Sequence, residues 1–243
     1  MNIYYSVKQL LFSCFFLVIL TQLSHASVIL IGTRVIYPED KKFVNLNFRS
    51  SDRVPSVIDA WVSNTPISAS SNNDAPFIIT PSIFRIDPSQ GQSVKLIYTG
   101  DRLIRDRESV FYLNFVQLPA TEKNVNKLLI TYKSTVKIFY RPNSLKQNID
   151  NISSFLELDL SKLNSGIVTI LNNSEYHITP TNISLEKNNN KIISVSDENL
   201  NMIPPFSHED IKVPAVNNMS GISSYISLIN DLGGISTYRI TSI

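Results

Sequence analysis

Apolar positions in this chain alternate far more often than they recur at helical spacing. Phe43–Phe48 sets Phe43, Asn45 and Asn47 against Val44, Leu46 and Phe48. That period of two is the mark of a half-buried strand. Val57–Val62, with the only tryptophan at Trp61, Ser93–Tyr98 and Ser109–Leu118 read as further strands. Phe77–Pro81 leads into Ile83–Pro88, and Ser27–Tyr37 opens the series as an apolar strand interrupted by Arg34. Gly, Pro, Ser and Asn turn signals separate them, including the polar loop Pro66–Asp74 and the charged loop Gly100–Glu108. With the strand described next, about seven strands in about 115 residues suit an antiparallel β-sandwich.

The strongest single stretch is Asn126–Pro142, which contains no Gly and only a terminal Pro. It reads as one long strand. Leu128, Ile130, Tyr132, Ser134, Val136 and Ile138 share one face; Leu129, Thr131, Lys133, Thr135, Lys137 and Phe139 share the other. Neither face is cleanly polar. Either the strand is central and buried on both faces, or one face offers its apolar residues to a partner, because such an edge left bare invites aggregation.

Arg141-Pro142-Asn143 marks a boundary, after which Asn and Ser increase and aromatics thin out. Phe155–Leu160 is a short strand or a helical turn. Gly166–Leu171, His177–Leu185 and Lys191–Val195 read as strands, and Ser223–Asn230 with Gly234–Thr241 as a closing hairpin. A second, smaller β domain follows from this pattern, and no segment carries a convincing long helix.

Residues 1–26 have the form of a secretory signal peptide: a single charge at Lys8, the apolar run Leu10–Leu20, and Ser24-His25-Ala26 ahead of Ser27. Cleavage after Ala26 leaves 217 of the 243 residues and removes Cys14, the only cysteine. The mature chain then has neither a disulfide nor a thiol nucleophile, so core burial alone must stabilise it. With Lys8 gone, 21 Lys and Arg face 20 Asp and Glu, which argues against nucleic acid or an anionic membrane as the main partner.

Catalytic constellations are missing from the sequence. His177 and His208 are the only mature histidines, too few for a zinc site. There is no phosphate-cradling glycine loop and no Gly-x-Ser-x-Gly elbow. Asp197-Glu198 and Glu209-Asp210 lie in polar segments that read as solvated loops. The informative charges are two cations stranded among apolar residues, Arg34 and Lys137. Buried, they need an anion, and a guanidinium fork beside an ammonium suits a carboxylate; on an outer face they would need nothing. Glu108, Arg141 and Asp231 end elements in different parts of the chain and could pair across a domain interface.

Several motifs together resemble the PapD-like periplasmic chaperones of the chaperone–usher pathway, over essentially all of the mature chain. They are Gly32-Thr33-Arg34-Val35-Ile36-Tyr37-Pro38, Ala60-Trp61-Val62, Ile79–Ile86, Asp106–Asn114, Lys137–Pro142, Pro205-Phe206-Ser207 and Ile229–Gly234. The resemblance implies an all-β chain of two immunoglobulin-like domains in an angled, boomerang-like arrangement: residues 1–26 as signal peptide, 27–142 and 143–243 as the two domains. It implies a non-enzymatic periplasmic chaperone without a cofactor. Its partners would be pilus subunits, capped by strand addition, and an outer-membrane usher, with self-association of the free protein left open. By motif position, Arg34 and Lys137 would anchor the subunit's C-terminal carboxylate. Leu128, Ile130 and Tyr132 would be donor side chains, and Glu108, Arg141 and Asp231 an interdomain charge cluster. Tyr132 departs from the aliphatic residue expected of a donor. Lys137 and Leu128 differ by an odd number, so anchor and donors must address different surfaces unless a bulge intervenes. The short Ala120–Asn126 connection resembles the short-loop class, which serves thicker rod-like pili more often than thin capsule-like fibres. The rival reading is an exported β-sandwich structural protein such as a pilus subunit or adhesin.

Overall fold

The computed structural model describes residues 28–66, 75–100, 103–119, 131–188, 190–196, 200–216 and 221–243. In chain order the first domain contains β1 (Ile29–Leu30), β2 (Arg34–Pro38), β3 (Val44–Arg49), β4 (Ser56–Ser63), β5 (Phe77–Thr80), β6 (Ile83–Ile86), β7 (Gly91–Tyr98), β8 (Ser109–Pro119) and β9 (Tyr132–Arg141). One sheet runs β1-β3-β7-β5 and the facing sheet β2-β9-β8-β4-β6. The alternation works as expected: Leu46 and Phe48 of β3 are buried between the sheets while Asn45 and Asn47 are exposed. Phe77 packs edge-on against Tyr37 and Phe111 in this core.

Two differences from the sequence expectation bear on the site. The opening strand is split in two. At Gly32 the chain takes φ +108°, a conformation that suits glycine, and crosses from the edge beside β3 to the edge beside β9. The strand expected over Asn126–Pro142 is described from Tyr132 to Arg141, and Asn126–Ile130 lie outside the described residues.

The second domain contains β10 (Leu156–Asp159), β11 (Ile167–Asn172), β12 (Pro180–Lys187), β13 (Asn190–Ser196), β14 (Ser207–Lys212), β15 (Ile222–Ile229) and β16 (Ile235–Ser242). They form one hydrogen-bonded sheet in the order β13-β12-β15-β16-β10-β11-β14. Ile193, Ile183, Ile226, Ile240, Leu158, Ile170 and Ile211, one from each strand, meet in a single core, so the sheet folds over upon itself. Short 3-10 turns at Ile149–Phe155 and Leu163–Ser165 are the described helical elements.

Glu209 and Asp210 correct the loop expectation. They lie on β14, an edge strand, where Thr169 Oγ1 on β11 donates to Asp210 Oδ1 at 2.5 Å. A charged edge strand discourages pairing with other chains, and its polar composition hid it from a hydrophobic-pattern reading. The strand expected from His177 starts only at Pro180; His177 is turned towards the first domain, and Ile178 forms an isolated bridge with Ile203.

Two buried polar groups hold loops onto these cores. Tyr37 Oη accepts from Tyr98 N at 3.1 Å and donates to Lys41 O at 3.0 Å. Asn172 donates to the carbonyls of Tyr176, Ile203 and Pro204 and accepts from Ser174 N and Oγ. Each buried group left unsatisfied costs about 1–3 kcal/mol. Tyr37→Phe is therefore expected to lose about that amount in denaturant unfolding, and Asn172→Ala clearly more. A smaller loss for Asn172→Ala would mean that the loop does not depend on that side chain.

Candidate functional site

The site begins with a register. β2 runs parallel to β9, pairing Arg34 with Lys137, Ile36 with Phe139 and Pro38 with Arg141. Paired residues share a face, so Arg34, Lys137, Phe139 and Arg141 all look away from the core that takes Val35, Tyr37, Ile138 and Tyr140. That outward face meets the second domain.

Arg141 is the centre of the contact. Its Nε donates to Glu108 Oε1 at 2.8 Å. Its Nη1 and Nη2 reach Asp231 Oδ2 and Oδ1 at 2.5 and 2.7 Å, a bidentate pair. Glu108 is only 2% exposed. Its second oxygen, Oε2, accepts from His177 N at 2.9 Å and lies 3.0 Å from His177 Nδ1. Burial works against the charge of Arg141, but the Asp231 hydrogen bond and the attraction of Glu108 outweigh it, so its pKa stands above the ordinary arginine value. The three residues singled out in the sequence are thus one ion cluster joining the domains.

The β15–β16 turn delivers Asp231. Asn230 organises it: its Oδ1 accepts from Leu232 N and Gly234 N, and its Nδ2 donates to Ser236 Oγ. Gly233 has φ +82°, and a Cβ there would strike Thr33 Oγ1 of the first domain. Glycine is required both for the turn and for the close approach.

Beside this cluster lie the two cations. Arg34 Nη1 donates to Ile229 O at 3.0 Å, and its guanidinium sits 5.5 Å from the Phe139 ring centroid. Its buried Nε has no hydrogen-bond partner among the described residues. Burial lowers the pKa of Arg34; Asp231 and Glu108 partly restore it, and Arg141 lowers it further. Burial lowers the pKa of Lys137 as well, and the neighbouring Arg34 adds to the effect. Among the described residues no anion pairs with Lys137. Two half-buried cations side by side, with no anion on Lys137 among the described residues, form a place where an anion is favoured.

β9 has an unequal edge. β2 covers it from Lys137 to Arg141; from Tyr132 to Val136, among the described residues, that edge has no ladder partner. Along its other edge β8 pairs continuously, from Gln117–Tyr132 to Ser109–Tyr140, with no register shift. No bulge therefore separates Tyr132 from Lys137, and the two face opposite ways. Tyr132 belongs to the row that puts Ile138 and Tyr140 into the core, yet it is 66% exposed. The core stops short of it, because Gln117 closes that end with hydrogen bonds to Val28 N, Asp52 Oδ2 and Ser56 Oγ. Leu128 and Ile130 lie outside the described residues.

Sequence reasoning missed His177 and Phe139 as parts of this site. The parity of Phe139 with Lys137 was the available signal for one. His177 had none, since its role depends on the partner domain.

Residues 27–146 match the family described as pili and flagellar-assembly chaperone, PapD N-terminal domain, and residues 154–240 match the PapD C-terminal domain of pili assembly chaperones. The chaperone protein HifB of Haemophilus influenzae is 30% identical over 236 residues, covering 93% of this chain and 93% of HifB. The crystal structure of the CupB2 chaperone of Pseudomonas aeruginosa superposes with a TM-score of 0.72 at 25% identity, covering 88% of this chain and 100% of that one. The SafB chaperone of Salmonella enterica, solved in complex with the SafA pilin, shares the fold with a TM-score of 0.70 at 20% identity, covering 90% and 98% of the two chains. Two sandwich domains, their interface and both family matches agree: the chain belongs to the PapD-like family of pilus-assembly chaperones.

Proposed function

We propose that this protein captures pilus subunits in the periplasm by lending them β9, holds their C-terminal carboxylate on Arg34 and Lys137, and passes them to an outer-membrane usher. The observation that carries this reading is where the cation pair lies. Arg34 and Lys137 stand where β2 begins and where the open edge of β9 ends. A strand added to Tyr132–Val136 with its C-terminus at that point would be collinear with β2, and therefore parallel to β9. Its carboxylate would meet the half-buried Arg34 guanidinium and the Lys137 ammonium.

The added strand gives the subunit main-chain hydrogen bonds, and alternate side chains supply specificity. Tyr132, on the core-facing row but beyond the core, is suited to enter the subunit. Ile130 and Leu128 extend that row by parity. Anchor and donors then address opposite faces of one strand. Glu108, Arg141 and Asp231 hold the second domain against the anchor, so the cleft has a fixed width. Among the described residues no helix is long and apolar enough to cross a membrane. The SafB–SafA complex gives a precedent for a chaperone of this fold binding a pilin. The mature chain, with two domains and no cysteine, suits a chaperone better than a subunit or adhesin.

Three outcomes are expected. Co-expression with the subunit encoded beside it gives a one-to-one complex for the wild type, and Arg34→Ala and Lys137→Ala reduce recovery at least about tenfold, the effect of roughly 1.4 kcal/mol. Equal recovery from all three proteins would remove the anchor.

Lys137→Met should make the free protein more stable at neutral pH while abolishing capture. The lowered pKa means that folding disfavours the charged lysine, so the wild type carries a deficit below that pKa. The deficit fades as pH rises towards the ordinary lysine value of 10.5. Thermal melts of both proteins across this range test the sign; a wild type more stable than the variant at neutral pH would contradict it.

Arg141→Met leaves Glu108 buried without its cation and should destabilise by about 3–5 kcal/mol. Small-angle scattering of the folded fraction should show a broader distribution of interdomain orientations. An unchanged scattering profile would mean that other contacts fix the domains.

A further inference from the structure

The cleft holds a cavity of about 310 Å³ that the anchor itself does not use. It lies on the second-domain side of Arg34. Its apolar walls are Phe139, Ile152, Ile178, Leu228 and Tyr238, with Leu232 at its lip. Leu232 is 94% exposed, on the tip of the turn that delivers Asp231. A large aliphatic side chain in water beside an apolar cavity awaits something to cover. Cavities of this size accept small organic groups.

The polar lining narrows the choice of occupant. Glu108 and Asp231 border the cavity, but both are held by Arg141. Asp150 sits at the exposed rim. Arg34 provides a half-buried cation on the cavity wall. A neutral apolar group attached to a carboxylate satisfies all of these: the carboxylate meets Arg34, and the apolar part enters beside Phe139. With Arg141 taken up by Glu108 and Asp231 and Arg34 by the terminal carboxylate, a second negative charge would find no free cation in the lining and would face Asp150.

Direction along the strand completes the argument, which rests on the proposed anchor. A subunit strand parallel to β9 ends at Lys137. Past that point on the same face of β9 stands Phe139, which is both a neighbour of Arg34 and a wall of the cavity. We propose that the cavity receives the side chain of the subunit's C-terminal residue, and that it selects aromatic or large aliphatic termini over small or acidic ones.

The test uses the mature two-domain protein and N-terminally labelled, alternating Thr-Val peptides with free carboxyl termini, ending in Phe, Ala or Glu. Fluorescence anisotropy should give about 10- to 100-fold tighter binding for Phe than for Ala, the gain from burying a ring in place of a methyl group. Glu should bind no better than Ala. Ser236 also lines the cavity, so Ser236→Phe should erase the preference for Phe while keeping the affinity for Ala. Leu232→Ala, at a fully solvated position that folding does not require, should reduce the preference without affecting the Ala peptide. Arg34→Ala should weaken the Phe and Ala peptides alike. Equal wild-type affinities for Phe and Ala, with both weakened by Arg34→Ala, would overturn the cavity assignment and leave the anchor standing. Phe- and Ala-peptide affinities that are unchanged by Arg34→Ala and by C-terminal amidation of the peptides would overturn the anchor, and this inference with it. Failure of all peptides to bind at millimolar concentration would also overturn it.

Discussion

One guanidinium between two carboxylates from different parts of the chain makes two sandwiches into one working surface. Arg141 ends β9, Glu108 precedes β8, and Asp231 sits on a turn of the second domain. Charges at such depth are a liability singly and tolerable only together. Here every oxygen of Glu108 is engaged: one by Arg141, the other by the backbone and ring of His177. The bond geometry is directional, so the cluster constrains orientation as well as distance. Everything else in the cleft follows from that constraint. Thr33 meets Gly233, Arg34 reaches the Ile229 carbonyl, and Phe139 lies 5.8 Å from the His177 ring.

The cation pair beside the cluster has the opposite character. Arg141 is paired with two carboxylates; among the described residues Arg34 and Lys137 have no carboxylate in salt-bridge contact. Burial disfavours both charges, and repulsion adds to it, from Arg141 on Arg34 and from Arg34 on Lys137. A fold selected only for stability would replace Lys137 by an apolar residue at this position. Its presence is the kind of local conflict that marks a binding site waiting for its ligand. The contrast is informative because both sets of charges occupy the same cleft and share the same strand, yet only one is internally neutralised.

Much of this was legible in the sequence, and the reasons differ by element. Strands such as β3 and β7 were readable because one face is core and the other is largely water, so side-chain polarity reports burial directly. β14 was not, because only Ile211 of its six residues is buried and its charges protect an edge. The break between β1 and β2 escaped because Ile31, Gly32 and Thr33 keep the apolar-polar rhythm while the backbone changes direction at a positive φ. In the site, Arg34 and Lys137 stood out as cations in apolar surroundings, a signal carried by single positions. Their adjacency required the parallel register of β2 and β9, which no local pattern encodes. The cavity was illegible for the same reason: its walls come from β9, the 3-10 turn at Ile149–Phe155 and the β15–β16 hairpin, and only the domain interface assembles them.

The geometry of β9 explains how one strand serves two masters without a bulge. Its core-facing row runs Tyr140, Ile138, Val136 into the first sandwich, and the core then ends at the Gln117 hydrogen bonds while the strand continues to Tyr132. The same row that completes this protein's own core thus projects past it, in the right alternation to complete another. The opposite row carries Lys137, Phe139 and Arg141 into the cleft. On the proposed reading, a partner strand laid on the open edge would be held by main-chain bonds along its length and by charge at its end. That division matters for release. Ladder bonds and apolar contacts can be exchanged stepwise for those of a competing strand, with each bond broken matched by one formed. The proposed terminal ion contact would fix where the partner strand ends, so register would be set without the deep, all-at-once burial that would make the complex permanent.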